Sequence, residues 1–111
     1  KITSPIQLTI EETHQKNTDS QNTIIGDKDL LKFPLRVRKW GYGDYICPIG
    51  MKGSKKLSQL FKDKKLSLIE KEKIWLLTDA QDHVIWVIGM RQDRRFSVLE
   101  STINRLKISY E

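Results

Sequence analysis

An α+β domain with more strands than helices is predicted by three features of the sequence. Apolar residues alternate with polar ones near both ends of the chain, two continuous apolar runs in its second half are joined by a short polar turn, and two short stretches between residues 54 and 73 have helical spacing. A chain of 111 residues fits one domain with one modest core.

The elements follow in order. Ile6, Leu8 and Ile10 alternate with Gln7, Thr9 and Glu11, the signature of a half-buried strand. Residues 13–23 are polar and aperiodic and read as an exposed loop, after which Ile24 and Ile25 suit a second short strand. Residues 1–33 are thus expected to lead into a core formed by residues 34–111, the whole making one compact domain. Leu35 and Val37 alternate with Arg36 and Arg38, which predicts a strand with both guanidinium groups on the side away from the core.

Residues 40–53 hold four of the six glycines, including Gly43, Gly50 and Gly53, together with Pro48, and predict a turn-rich loop that glycine shapes. Leu57, Leu60 and Phe61 then fall at i, i+3 and i+4, with Ser54 available as N-cap, so a helix is predicted from Ser54 to about Asp63, Lys55 and Lys62 sharing its outer face. Its stripe is expected to anchor on a hairpin core containing Trp75 and Trp86. Ser67 and Glu70 have the spacing of a capping box and predict a second short helix to about Lys73. The apolar runs 74–78 and 84–88, joined by Asp79-Ala80-Gln81-Asp82-His83, predict a central hairpin covered on both faces. Leu106, Ile108 and Tyr110 alternate with polar neighbours in a last strand.

Charge is unevenly spread. The net charge is +6, yet residues 1–33 sum to −1, residues 34–66 to +7, and the remainder balances. One basic face suited to a polyanion is the implication. In that segment the charges are interleaved with Trp40, Tyr42 and Tyr45, so phosphates could meet cations and backbone N–H groups while aromatic rings stack on unpaired bases. The competing reading is a solvated lysine-rich helix with Trp40 in the core.

Other chemistries find little support. Gly50-Met51-Lys52-Gly53-Ser54-Lys55-Lys56 lacks the spacing of a phosphate-cradling loop, and the two histidines, His14 and His83, fall in a polar loop and a hairpin turn. A single cysteine, Cys47, with so few histidines gives neither a disulfide nor a closed metal site, and a reducing cytoplasm is expected. No apolar run approaches the ~20 residues of a membrane span, and the opening at Lys1, without a signal-like segment, suggests an excised fragment.

The loop and its flanks also carry a resemblance. Pro34-Leu35-Arg36-Val37-Arg38-Lys39-Trp40, Gly43-Asp44, Pro48-Ile49-Gly50-Met51-Lys52-Gly53 and Lys55-Lys56-Leu57-Ser58 resemble, in order and spacing, the linked motifs of the C-terminal domain of tRNA(Ile)-lysidine synthetases. Lys71-Glu72-Lys73, Trp75-Leu76-Leu77, Trp86, Gly89 and Arg91-x-Asp93-x-Arg95-Phe96 are similar to that domain's second half. The resemblance implies a layered β-sandwich-like domain, also found in the phenylalanyl-tRNA synthetase β subunit, with two short helices. It implies a parent enzyme that uses ATP to adenylate the wobble cytidine of tRNA(Ile) and then attaches lysine, the chemistry belonging to an N-terminal domain whose motif is absent here. No cofactor, metal or catalytic residue is expected in this chain. The expected partners are the tRNA acceptor stem and the catalytic domain. The expected contacts are Arg36, Arg38, Lys39, Lys52, Lys55, Lys56 and Lys62, with Arg91 and Arg95 open between phosphate contact and a structural role beside Asp93. The alternative is a module for protein interaction or dimerisation that uses the hairpin's apolar surface.

Overall fold

The computed structural model describes residues 7–15, 18 and 22–110. Ile6 and most of the polar stretch 16–21 lie outside the described residues. The chain forms β1 (Leu8–Thr13), β2 (Thr23–Asp27), β3 (Arg36–Lys39), β4 (Tyr45–Ile46), β5 (Lys55–Lys56), α1 (Leu57–Asp63), α2 (Leu68–Glu72), β6 (Trp75–Thr78), β7 (Val84–Val87), β8 (Arg91–Gln92), a 3-10 turn at Arg94–Phe96, and β9 (Arg105–Tyr110). The predicted α+β architecture is what forms.

Three layers result. The last strand, β9, lies between β1 and β2 in one antiparallel sheet, and β3-β6-β7-β8 form a second. Leu8, Ile24, Leu106 and Ile108 from the first sheet meet Leu77, Ile85 and Trp86 from the second in one core cluster. On the other face of the second sheet, Leu76, Val84 and Val87 receive Leu57, Leu60 and Phe61 of α1. The hairpin β6-β7 is therefore covered on both sides, which is why its sequence is continuously apolar. Its register shifts between Leu77 and Thr78, where Leu77 faces Trp86 but Thr78 faces Val84. That bulge turns the adjacent residues Ile85 and Trp86 to the same core.

Two expectations are corrected here. The anchor of α1 is not Trp75 and Trp86, since Trp86 faces the opposite layer and Trp75 is only half-buried. Trp40 takes that place, its ring edge-on to Phe61 at 5.0 Å. Nor does the helix start after Ser54. Lys55 and Lys56 pair with Ile46 and Tyr45 in a two-stranded ladder, and α1 begins at Leu57 behind an N-cap, Lys56, that makes no side-chain bond. Cross-strand pairing satisfies the backbone that a serine cap would have served. The capping box of α2 forms as expected, with the Ser67 hydroxyl accepting from the Glu70 N–H at 3.1 Å and the Glu70 carboxylate accepting from the Ser67 N–H at 2.9 Å. Most of the hairpin's apolar residues are buried, with Trp75 and Ile88 half-buried, so little apolar hairpin surface faces outward in this chain.

Candidate nucleic-acid interface

The loop 47–54 is pinned from its second-half neighbours. Asp93, fully buried, accepts the Cys47 N–H at 2.9 Å through Oδ2. The backbone N–H of Arg94 reaches the Cys47 carbonyl at 2.8 Å, and that of Ile49 reaches the Gln92 carbonyl at 3.3 Å. Two arginine side chains finish the frame, Arg91 donating to the Ile49 carbonyl at 3.1 Å and Arg94 to the Gly53 carbonyl at 2.8 Å. Gly50 and Gly53 adopt φ of 85° and 73°, conformations that a side chain would strain. Gly43 needs no such freedom, since its φ is outside that region and a Cβ there would meet nothing within 4 Å.

The loop thus gathers Lys52, exposed at its tip, with the guanidinium groups of Arg91 and Arg94. Arg94 was not among the expected contacts. Its neighbours Asp93 and Arg95 form an obvious pair in sequence, whereas its own partner is a carbonyl 41 positions away.

Three of the expected cations are held by carboxylates. Arg38 makes a two-pronged contact with Asp44 at 2.8 and 2.9 Å and reaches Asp82 at 2.9 Å, tying the loop after β3 to the turn of the central hairpin. Arg95 grips Asp93 at 2.7 and 2.9 Å and lies 5.3 Å from the Tyr45 ring, so its structural role is plain. Lys55 is paired with Asp63 and does not share a helical face with Lys62. Arg36 and Arg38 sit beside Thr78 and Leu76 on the edge strand β3, and therefore on the face that carries the α1 cluster rather than away from every core. Of these two, Arg36 is exposed and Arg38 half-buried.

The Arg38 hydrogen bonds hold the Asp44 carboxyl below its ordinary pKa, with the Gly41 N–H adding to the effect and partial burial opposing it. Because the folded-state pKa is depressed, the stabilisation is complete above the unfolded value of about 4 and is lost as pH falls through the lower folded value. Asp44→Asn is accordingly expected to lower Tm at pH 7, with the difference from the wild type narrowing as pH falls below about 4. Equal Tm differences in both ranges would show that the ionised carboxylate is not what stabilises.

A second cationic locus lies at the far end of α1. Lys62, Lys65 and Lys71 line a groove of about 470 Å³ with Trp40 and Tyr42. Lys39, which packs 3.9 Å over the Trp75 ring, reaches the Glu72 carbonyl at the end of α2. Lys56 is exposed on β5. The structure therefore divides the expected basic segment into a loop locus and a groove locus. Among the described residues no group of His, Cys, Asp and Glu could hold a metal ion, and no helix is long and apolar enough to cross a membrane.

Comparisons with known proteins bear on this geometry. The family model described as "TilS substrate C-terminal domain" matches residues 35–108. A tRNA(Ile)-lysidine synthase of Parabacteroides distasonis is 50% identical over 84 residues, covering 76% of this chain and 19% of that protein. Those of Bacteroides thetaiotaomicron and Bacillus subtilis are 37% and 31% identical, covering 90% and 91% of this chain and 24% and 22% of theirs. The chain spans about a fifth to a quarter of the length of these relatives. In fold it is similar to a crystal structure of a TilS C-terminal domain, with a TM-score of 0.79 at 23% identity over 96% of this chain and 82% of that one. It is also similar to an N-terminal fragment of the phenylalanyl-tRNA synthetase β subunit of Pyrococcus horikoshii, with a TM-score of 0.66 at 19% identity over 79% of this chain and 27% of that one.

Proposed function

The chain belongs to the TilS substrate C-terminal domain family, and from that membership we infer that it is a non-catalytic tRNA-binding part of a tRNA(Ile)-lysidine synthase that holds the acceptor stem. The ATP-dependent joining of lysine to the wobble cytidine would belong to the parent enzyme's catalytic domain. The supporting observation is the braced loop, where Lys52 is exposed and makes no ion pair among the described residues, while Arg91 and Arg94 fix the backbone on either side of it.

An A-form stem hides its base edges in a deep, narrow major groove and displays phosphates and 2′-hydroxyls, so recognition must rest on shape and charge. A rigid cationic loop suits that task, because the cost of ordering long side chains and backbone is met in folding rather than in binding. Lys52, Lys56 and Arg91 are the phosphate contacts in this reading, with Arg36 and Lys39 on β3 and Lys62 in the groove at the end of α1 as the remaining cations. Arg38, Lys55 and Arg95, which share their charge with carboxylates, act mainly by positioning the loop and strand that carry the others. Enzyme and tRNA meet in a compartment without a membrane role for this chain, the cytoplasm.

The test is affinity for an acceptor-stem hairpin at several salt concentrations. Counterion release predicts that log K falls with log salt, by up to roughly 0.9 per phosphate neutralised on a duplex. Replacing Lys52 and Lys56 together with alanine is expected to flatten that slope by about two units, alike for different stem sequences. An unchanged slope would remove both lysines from the interface, and a fold that ignores stems at low salt would overturn the reading.

A further inference from the structure

The groove at the end of α1 differs in kind from the braced loop because it combines cations with an exposed aromatic ring. Trp40 forms its floor. The indole packs edge-on to Phe61, and its Nε1–H donates to the Lys71 carbonyl at 2.9 Å, which fixes the ring and draws α2 against it. Tyr42 stands on that floor, 5.2 Å from Trp40 between ring centroids and inclined at 67°, yet it is 77% exposed. A tyrosine held in place while presenting most of its surface to water is a poor use of apolar area in folding and a good one in binding.

Around these rings stand Lys62, Lys65 and Lys71; among the described residues none of the three forms an ion pair with a carboxylate and no acidic residue lines the groove. Lys65 is also placed at a backbone cost. Its φ of 55° is the position that closes α1, with the Lys65 N–H bonding the Lys62 carbonyl at 3.0 Å and the Leu66 N–H bonding the Phe61 carbonyl at 3.1 Å. Glycine is the residue such a closure favours. Here lysine occupies it, and its side chain lines the groove.

The geometry points to a site for an unpaired, single-stranded RNA segment, with one base stacked on Tyr42 and the flanking phosphates at Lys62, Lys65 and Lys71. Lysines alone would suit any polyanion, an acidic peptide included; the exposed Tyr42 ring packed on Trp40 favours a base, since every base has a face to stack. A volume of about 470 Å³ lies in the range of small-molecule clefts and would take one nucleotide rather than a duplex. This inference rests on the reading of the chain as an RNA-binding domain and adds a second contact to the stem: an unpaired extension at the stem's end.

The experiment uses the 111-residue chain and four RNA hairpins of the same stem: blunt, with a four-nucleotide 3′ extension, with the same extension at the 5′ end, and with an abasic 3′ extension. At least one of the two base-bearing extensions is expected to bind about 5- to 150-fold more tightly than the blunt hairpin, the range for one base stacked on an aromatic side chain. The abasic extension should lose most of that gain while keeping its phosphates. Tyr42→Ala should abolish the gain and leave blunt-hairpin affinity unchanged, Tyr42→Phe should retain it, and Lys65→Gly should reduce it without loss of fold stability. Equal affinity for blunt and extended hairpins, a gain that survives Tyr42→Ala, or an abasic extension as good as a base-bearing one would overturn the site. Equal binding of blunt and extended RNA would still leave stem recognition standing, whereas failure to bind any hairpin would overturn both readings. Binding of an extended hairpin alone would support the groove and count against the stem.

Discussion

Phe61→Ala is expected to destabilise the fold by about 3–5 kcal/mol, the usual cost of emptying a buried aromatic position. Phe61 is fully buried between the second sheet and Trp40, in the cluster with Leu57, Leu60, Leu76, Val84 and Val87. Its neighbours come from several elements, so the cavity cannot close by moving one side chain. For a domain whose whole stability is on the order of 5–15 kcal/mol, such a loss brings the folded state close to its limit. The consequence should extend to function, because the Trp40 indole loses the wall that holds it beneath Tyr42. Urea denaturation gives the magnitude, and a loss below about 1 kcal/mol, near that of a surface substitution, would show that α1 is not packed as described.

Asp93→Ala is expected to cost about 3 kcal/mol and to loosen the loop that carries Lys52. The buried carboxylate accepts four hydrogen bonds, from the Cys47 N–H, the Arg95 N–H, and the Arg95 Nε and Nη2 groups. Alanine would leave the Cys47 N–H without its acceptor in a buried place and the Arg95 guanidinium without its partner. Breaking a buried ion pair from one side commonly costs about 3–5 kcal/mol. The lower end applies because the Arg95 side chain is 31% exposed and can turn to water. Stem affinity should fall with stability, since the same residues register Pro48 against Asp93 and so place Gly50 to Gly53. Denaturation and hairpin binding measured on one preparation test this, and a variant with wild-type stability would contradict the anchoring role.

Much of the fold was legible because local period and burial agree. The strand 105–110 alternates in burial as in sequence, in 8–13 Leu8 and Ile10 pack on the core on either side of Thr9, and the capping box at Ser67 needs only residues three apart. The β6-β7 hairpin was legible for a different reason, as covering both faces erases alternation and leaves apolar runs. The candidate site was less legible. The braced loop was marked by its glycines, but the arginines that brace it lie about forty positions downstream and bond to carbonyls, which carry no residue-type signal. Arg38 is held by Asp44, six positions on, and also by Asp82, 44 positions away in the hairpin turn, and no short-range spacing marks that second partner.

By itself the sequence determined the composition of layers, the concentration of positive charge between residues 34 and 66, and the motifs that carry the family resemblance, because all three depend on residue type and short-range spacing. Only the tertiary structure decided which cations remain available. It moved Lys55 from the helix to a strand and paired it with Asp63, committed Arg38 and Arg95 to carboxylates, and brought Lys71 beside Lys62 and Lys65 through the indole of Trp40. The physical reason is that a charge is neutralised by whatever acid lies within a few ångströms, and those neighbours are set by the packing of sheets and helices from distant parts of the chain.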